Sequence, residues 1–214
     1  MKKISWHELK PQVKEVWVLS LPAILTQITT IVKLAVEKIL KKNVLVVGAG
    51  IKTGLNIRID NPAQLGSDLV VDSVAAIVEY PAPLLIFDLG TANTVCVIDK
   101  NKNYIGGMIY PGIGVSLDSL TAHASQLGGI SIEAPEHMIG KNTTECMKSG
   151  LIYSSAAAMD GIIDRLQEQL GGEATVIATG GLAKKIVSHC RREIILDDDL
   201  LLKGLAIIYK KNRK

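Results

Sequence analysis

Residues 84–110 read LLIFDLGTANTVCVIDKNKNYIGGMIY, and this stretch decides the fold. LLIFD (84–88) is a short apolar run closed by Asp88, the pattern of a fully buried strand. GTAN (90–93) supplies a tight turn and TVCVID (94–99) a returning strand. NKN (101–103) is a second turn and YIGGMIY (104–110) a third strand. Turns this short permit only antiparallel pairing, so the stretch predicts a three-stranded meander.

Downstream, helices are expected near 115–127 and 143–170. A strand, TVIATGG (175–181), then leads straight into a helix from Leu182, followed by a last strand EIIL (193–196) and a last helix over 199–210. A meander followed by strand–helix alternation is the ribonuclease-H-like α/β plan. Upstream, YPAP (80–83) is the strongest linker signal, because two prolines stop a helix. Before it, EVWVLS (15–20) reads as a buried strand and Pro22 suits the first turn of an amphipathic helix. Apolar residues then recur at Ile24, Ile28, Ile31, Leu34, Ala35 and Ile39. VLVVG (44–48) is a second strand and GAGIKTG (48–54) a loop. Asn61 with Pro62 caps a helix running to about Tyr80. Two domains follow: an incomplete ribonuclease-H-like domain over residues 1–82 and a complete one over 83–214.

Composition narrows the function. With 48% hydrophobic residues in 214, the chain can bury a real core. A net charge of +3 is too balanced for a nucleic-acid footprint, and KKNRK (210–214) reads as a solvated helix end. Cys96, Cys146 and Cys190 show no CxxC spacing. That argues against a disulfide framework or a zinc site and favours a reducing compartment. His7, His123, His137 and His189 are scattered and read as surface or loop residues. The apolar stretch 16–36 is broken by Ser20, Pro22, Gln27, three threonines and Lys33, so no membrane span is expected. No signal-peptide pattern opens the chain, and a cytoplasmic protein is expected.

Two loops can carry chemistry. At Asp88, Gly90 and Thr91 an apolar strand delivers a carboxylate into a glycine turn, whose N–H groups can face a phosphate while the carboxylate holds a cation. Thr179-Gly180-Gly181 ends a strand and opens a helix, which suits a nucleotide. Taken singly, each reads equally well as a plain turn. Together and in this order they form the arrangement of the sugar kinase and actin-like superfamily. GAGIKTG is neither a Walker loop, since Ile51 precedes Lys52, nor a dinucleotide fingerprint, since Thr53 stands at the third glycine.

GIKTGLNI (50–57), DNP (60–62), FDLGTA (87–92), IGG (105–107), PGIGVSL (111–117), IGKNT (139–143), SG (149–150) and ATGGLA (178–183) stand in order. In these motifs the chain resembles the type III pantothenate kinases from about Val16 onward. The resemblance implies a cytoplasmic homodimer that uses ATP to phosphorylate pantothenate, the first step of coenzyme A synthesis. It also implies Mg2+ and a monovalent cation, K+ or NH4+. By the same resemblance Asp68 is the general base, and Gly66, Ser67, Leu69, Ile59 and Thr143 occupy substrate positions. Gly90, Thr91, Gly180 and Gly181 fall at the ATP, and Asp88 at the monovalent cation.

The chain departs from the family pattern at several points. The family's leading Asp-x-Gly-Asn-Thr loop has no counterpart in MKKISWHELKPQVK (1–14). Leu69 stands for an arginine, Ile59 for a tyrosine, Asn93 for a threonine and Asp72 for an asparagine. A second expectation follows from these departures: a catalytically degenerate relative that binds a nucleotide or a partner. Without the leading segment, the apolar edge at Val16–Leu19 is expected to be exposed and adhesive.

Overall fold

In the computed structural model, residues 17–19, 26–41, 43–124 and 127–213 are described. In chain order the elements are β1 (Trp17–Leu19), α1 (Thr26–Leu40), β2 (Val44–Val46), β3 (Asn56–Ile57), α2 (Ser67–Glu79), β4 (Leu84–Leu89), β5 (Ala92–Ile98) and β6 (Asn103–Pro111). There follow α3 (Ile113–His123), α4 (Thr143–Leu170), β7 (Thr175–Thr179), α5 (Ala183–Val187), β8 (Ile195–Leu196) and α6 (Leu200–Asn212).

The meander read from residues 84–110 is β4, β5 and β6. The six-stranded sheet runs β3-β6-β5-β4-β7-β8. From β6 to β8 the order is third, second, first, fourth, fifth strand, with β4–β7 and β7–β8 parallel. This is the ribonuclease-H-like order that the alternation predicted. A separate parallel pair joins β1 to β2.

The chain separates into two compact units. One holds the described residues up to Ala82, with Ile98–Gly106 and those from Asp199 onward. The other holds Pro83–Val97 with Gly107–Asp198.

In the second unit the core forms because α4 carries Ile152, Ala156, Met159 and Ile163 at helical spacing, all buried. They pack with Leu85, Phe87 and Leu89, the alternate residues of β4, and with Val95, Val97, Val176 and Ala178. Leu84 and Ile86 on the opposite face of β4 are buried as well, which explains the unbroken apolar run. The predicted bounds of α4 hold because its ends are written locally. The Asn142 side chain accepts from the Glu145 amide at 3.0 Å, and Gly171 closes the helix at φ 74°.

In the first unit α2 packs on α6 around Val70, Val71, Val74 and Ile208. Gly204 makes this approach possible, since a Cβ there would lie 2.7 Å from Val71 Cγ1 and 2.8 Å from its carbonyl carbon. β3 pairs with β6 through Asn56↔Asn103 and Ile57↔Tyr104.

Some expectations need correction. The single helix expected from Asn61 to Tyr80 is a 3-10 turn, Pro62–Gln64, followed by a break and then α2. Asn61 does cap, but it caps the turn, and Leu65 is extended at ψ 126°. The helix restarts only after Gly66, which is itself extended at ψ 140° and serves as the N-cap of α2. β5 begins at Ala92 rather than Thr94, and α3 covers Ile113–His123 rather than 115–127. β3 was not anticipated, being two residues long. On α1, Ile31, Leu34 and Ile39, expected to mark a covered face, are 66%, 59% and 75% exposed. Residues 15, 16, 20, Pro22 and Ile24 lie outside the described residues, as does the stretch 1–14. Among the described residues no helix is long and apolar enough to cross a membrane.

Candidate functional site

Asp88 and Thr179 are register partners at the carboxyl ends of adjacent parallel strands, β4 and β7. The two loops singled out from sequence therefore emerge side by side, at the strand ends where open α/β sheets bind ligands. The contact between them is intimate. Gly180 has φ +94°, and a Cβ on it would lie 2.5 Å from Asp88 Oδ1 and 2.7 Å from the Leu89 nitrogen and oxygen. Only glycine accepts both the backbone angle and the packing. The Leu182 amide donates to the Leu89 carbonyl at 3.3 Å, tying the start of α5 to the end of β4.

The Gly90-Thr91 turn is held from its other side by Gly112. The Gly112 amide donates to Thr91 O at 3.0 Å. A Cβ on Gly112 would run into the Gly90 carbonyl oxygen and lie 2.7 Å from that of Thr91. Gly112 lies in the quoted PGIGVSL motif, yet sequence reasoning assigned it no role. Its signal was present in the Pro111-Gly112 pair between a strand and a helix. The resulting turn leaves Thr91 and Gly181 exposed, Asp88, Gly90 and Gly180 half-buried, and open space beside Gly181.

Beneath this turn the side chains become buried and polar. Asn93 is 2% exposed, and its Oδ1 has no hydrogen-bond partner. Burial pushes the nearby Tyr110 phenol above its ordinary value. Cys190 adds to the rise. Burial likewise pushes the Cys190 thiol up to about 12, with Asp160 adding to it. A thiol in that state is not a nucleophile at neutral pH.

The substrate-side residues belong to the other unit. Gly66 is the N-cap of α2, and the half-buried Asp68 sits in its first turn with the carboxyl folded back over Gly66. A carboxylate there is favoured by the unpaired N–H groups and the dipole of the helix start. Ser67, Leu69 and Ile59 are half-buried nearby in sequence. Asp72, one turn below Asp68, is 2% exposed. Thr143 is not part of the loop pair; it is exposed in the first turn of α4. The stretch ahead of it is fastened in place. Ser149 Oγ donates to Met138 O, Lys148 pairs with Glu133, and Glu145 accepts from the Lys141 amide at 2.9 Å.

The family model described as type III pantothenate kinase matches residues 5–165. The chain belongs to the type III pantothenate kinase family. It is 48% identical over 168 residues to a type III pantothenate kinase from Exiguobacterium sibiricum, an alignment covering 78% of this chain and 66% of that one. With the corresponding protein of Bacillus cytotoxicus it shares 46% over 176 residues, covering 82% and 67%. The chain thus spans about two thirds of the length of the relatives it matches. Among solved structures, one described as a Baf family transcriptional activator from Campylobacter jejuni is similar in fold. Its TM-score is 0.53 at 22% identity, over 83% of this chain and 78% of that one.

Proposed function

We propose that this family member phosphorylates pantothenate with ATP, the first step of coenzyme A synthesis. The observation that supports the reading is the register pairing of Asp88 with Thr179, which sets the two glycine loops side by side at the strand ends, where a phosphate could be held. Gly90, Thr91, Gly180 and Gly181 form the nucleotide side. Phosphoryl transfer asks mainly for positioning and charge neutralisation, and loops of backbone N–H groups supply both. Asp68 takes the proton of the substrate hydroxyl as that oxygen attacks the γ-phosphate, with Gly66, Ser67, Leu69, Ile59 and Thr143 on the substrate side.

A cation fits Asp88. Asp88 is half-buried at the end of β4 with its carboxylate against the Gly180 turn, and among the described residues no three His, Cys, Asp or Glu side chains gather. The family resemblance implies a monovalent cation, K+ or NH4+, which the Asp88 carboxylate would help to hold and which would offset phosphate charge when bound. The resemblance implies Mg2+ as well, which would come bound to the nucleotide and share its phosphate charge. On this reading the two ribonuclease-H-like domains are residues 1–82, incomplete, and 83–214, the chain works as a homodimer, and its place is the cytoplasm.

A degenerate, binding-only relative is the second reading, and Leu69 favours it. An apolar side chain cannot form the paired hydrogen bonds that arginine offers a carboxylate. The test is a coupled assay with pantothenate, ATP, Mg2+ and K+, run on the chain and on Asp68→Asn, beside calorimetric titration with an ATP analogue. Turnover that Asp68→Asn abolishes supports the kinase. Nucleotide binding without turnover supports the second reading, and the absence of both binding and turnover refutes the kinase and the nucleotide-binding form of the second reading.

A further inference from the structure

The GAGIKTG loop (48–54) matched neither a Walker loop nor a dinucleotide fingerprint, and the proposed chemistry leaves it without a task. Its geometry gives it one. The loop bends twice through left-handed glycines, Gly50 at φ 86° and Gly54 at φ 78°, so no regular pairing satisfies the backbone between them. The last residues of α6 provide what is missing. Asn212 Oδ1 accepts from the Lys52 amide at 3.0 Å, while Asn212 Nδ2 donates to the Lys52 carbonyl at 2.9 Å. One side-chain amide thereby makes both bonds that a neighbouring strand residue would make.

The same Nδ2 donates to Ile208 O at 2.8 Å, which fixes the side chain against its own helix. Lys211 Nζ donates to Thr53 O at 2.9 Å, in the space that a side chain on Gly54 would fill. Beyond the clasp the chain runs through Leu55 into β3 and on to Gly66 and Asp68. Ile51, Leu55, Ile57 and Leu65 pack on the core that α2 and α6 share. Leu65 immediately precedes Gly66, so the loop and the start of α2 rest on one surface.

We propose that Asn212 is a positioning residue for the substrate side: its amide holds the 50–54 loop, and through it the segment leading to Asp68. The meaning of that segment rests on the reading of Asp68 given above. Asn212 touches no reacting atom and acts only through backbone.

The test is hydrogen exchange on the intact chain and on Asn212→Ala and Asn212→Asp, with titration of pantothenate and of an ATP analogue. Exchange at residues 51–57 should rise by about tenfold in Asn212→Ala, the scale of losing paired hydrogen bonds. Asn212→Asp keeps the acceptor and loses the donor, so it should fall between. Pantothenate affinity should drop severalfold with analogue affinity unchanged. Unchanged exchange at 51–57 overturns the proposal. So does a rise spread evenly over α2 and α6, which marks a loosened helix rather than a released loop. A locally freed loop with wild-type pantothenate affinity overturns the link to Asp68. If the unmodified chain binds no pantothenate, the functional reading fails on its own, and exchange alone then decides the clasp.

Discussion

Substituting Gly112 by alanine tests whether the Asp88–Thr91 turn is held as described. The backbone at Gly112 has φ −73° and ψ 165°, which any residue adopts, so no conformational strain enters. In the unfolded chain the change is favourable by about 0.4–1 kcal/mol, because alanine has less freedom to lose. Against this, the new Cβ meets the Gly90 carbonyl and lies 2.7 Å from Thr91 O. Both obstacles are backbone, so neither can swing aside, and forcing such overlap costs about 1–3 kcal/mol. The net expectation is a loss of about 1–2 kcal/mol, a melting point lower by roughly 2–8 °C for a chain of this size. Nucleotide affinity should fall with it, since the turn that shifts is the one proposed above to face the phosphates. Gly114→Ala is the control two residues on. Nothing lies within 4 Å of its Cβ, and it sits in α3, where alanine gains up to about 1 kcal/mol. Thermal melts and titration with an ATP analogue should therefore separate the two variants in opposite directions. A Gly112→Ala protein that melts no lower and binds nucleotide normally would refute the packing argument.

Three further outcomes are expected. Gly204→Ala should destabilise by about 1–3 kcal/mol, because its Cβ would press on Val71 across the α2–α6 contact; chemical denaturation measures it. Asn142→Ala should cost about 1 kcal/mol through loss of the α4 cap, read as earlier melting in circular dichroism. Among the thiols, exposed Cys146 should react with a maleimide first at pH 8. Cys190, at about 12, carries only about one thiolate in ten thousand there, against a sizeable fraction for an ordinary thiol near 8.5, so mass spectrometry should find it unmodified until the protein unfolds.

Much of this molecule is written in short stretches of chain. The β4–β6 meander follows from run length and turn residues, and α4 follows from Asn142 at one end and Gly171 at the other. Such signals act over a few residues, so the sequence determined them by itself, and with them the carboxylate–glycine turn at Asp88 and the glycine pair at 180–181. Family membership was equally legible, since motif order does not depend on coordinates. What local pattern could not decide are distances between remote residues. The 61–80 segment has a helix cap at Asn61 and a stop at the prolines after Tyr80, yet Leu65 and Gly66 are extended and split it into a 3-10 turn and α2. The two-residue β3 is too short to have a period and exists only through its pairing with β6. Gly112 reads as an ordinary turn glycine until the Gly90 carbonyl is set against it. Asn212 and Lys52 stand 160 residues apart, and nothing near either announces the other. The tertiary structure decided these because each depends on which backbone groups the packed core brings within hydrogen-bond or van der Waals reach, a property of the folded chain rather than of any segment of it.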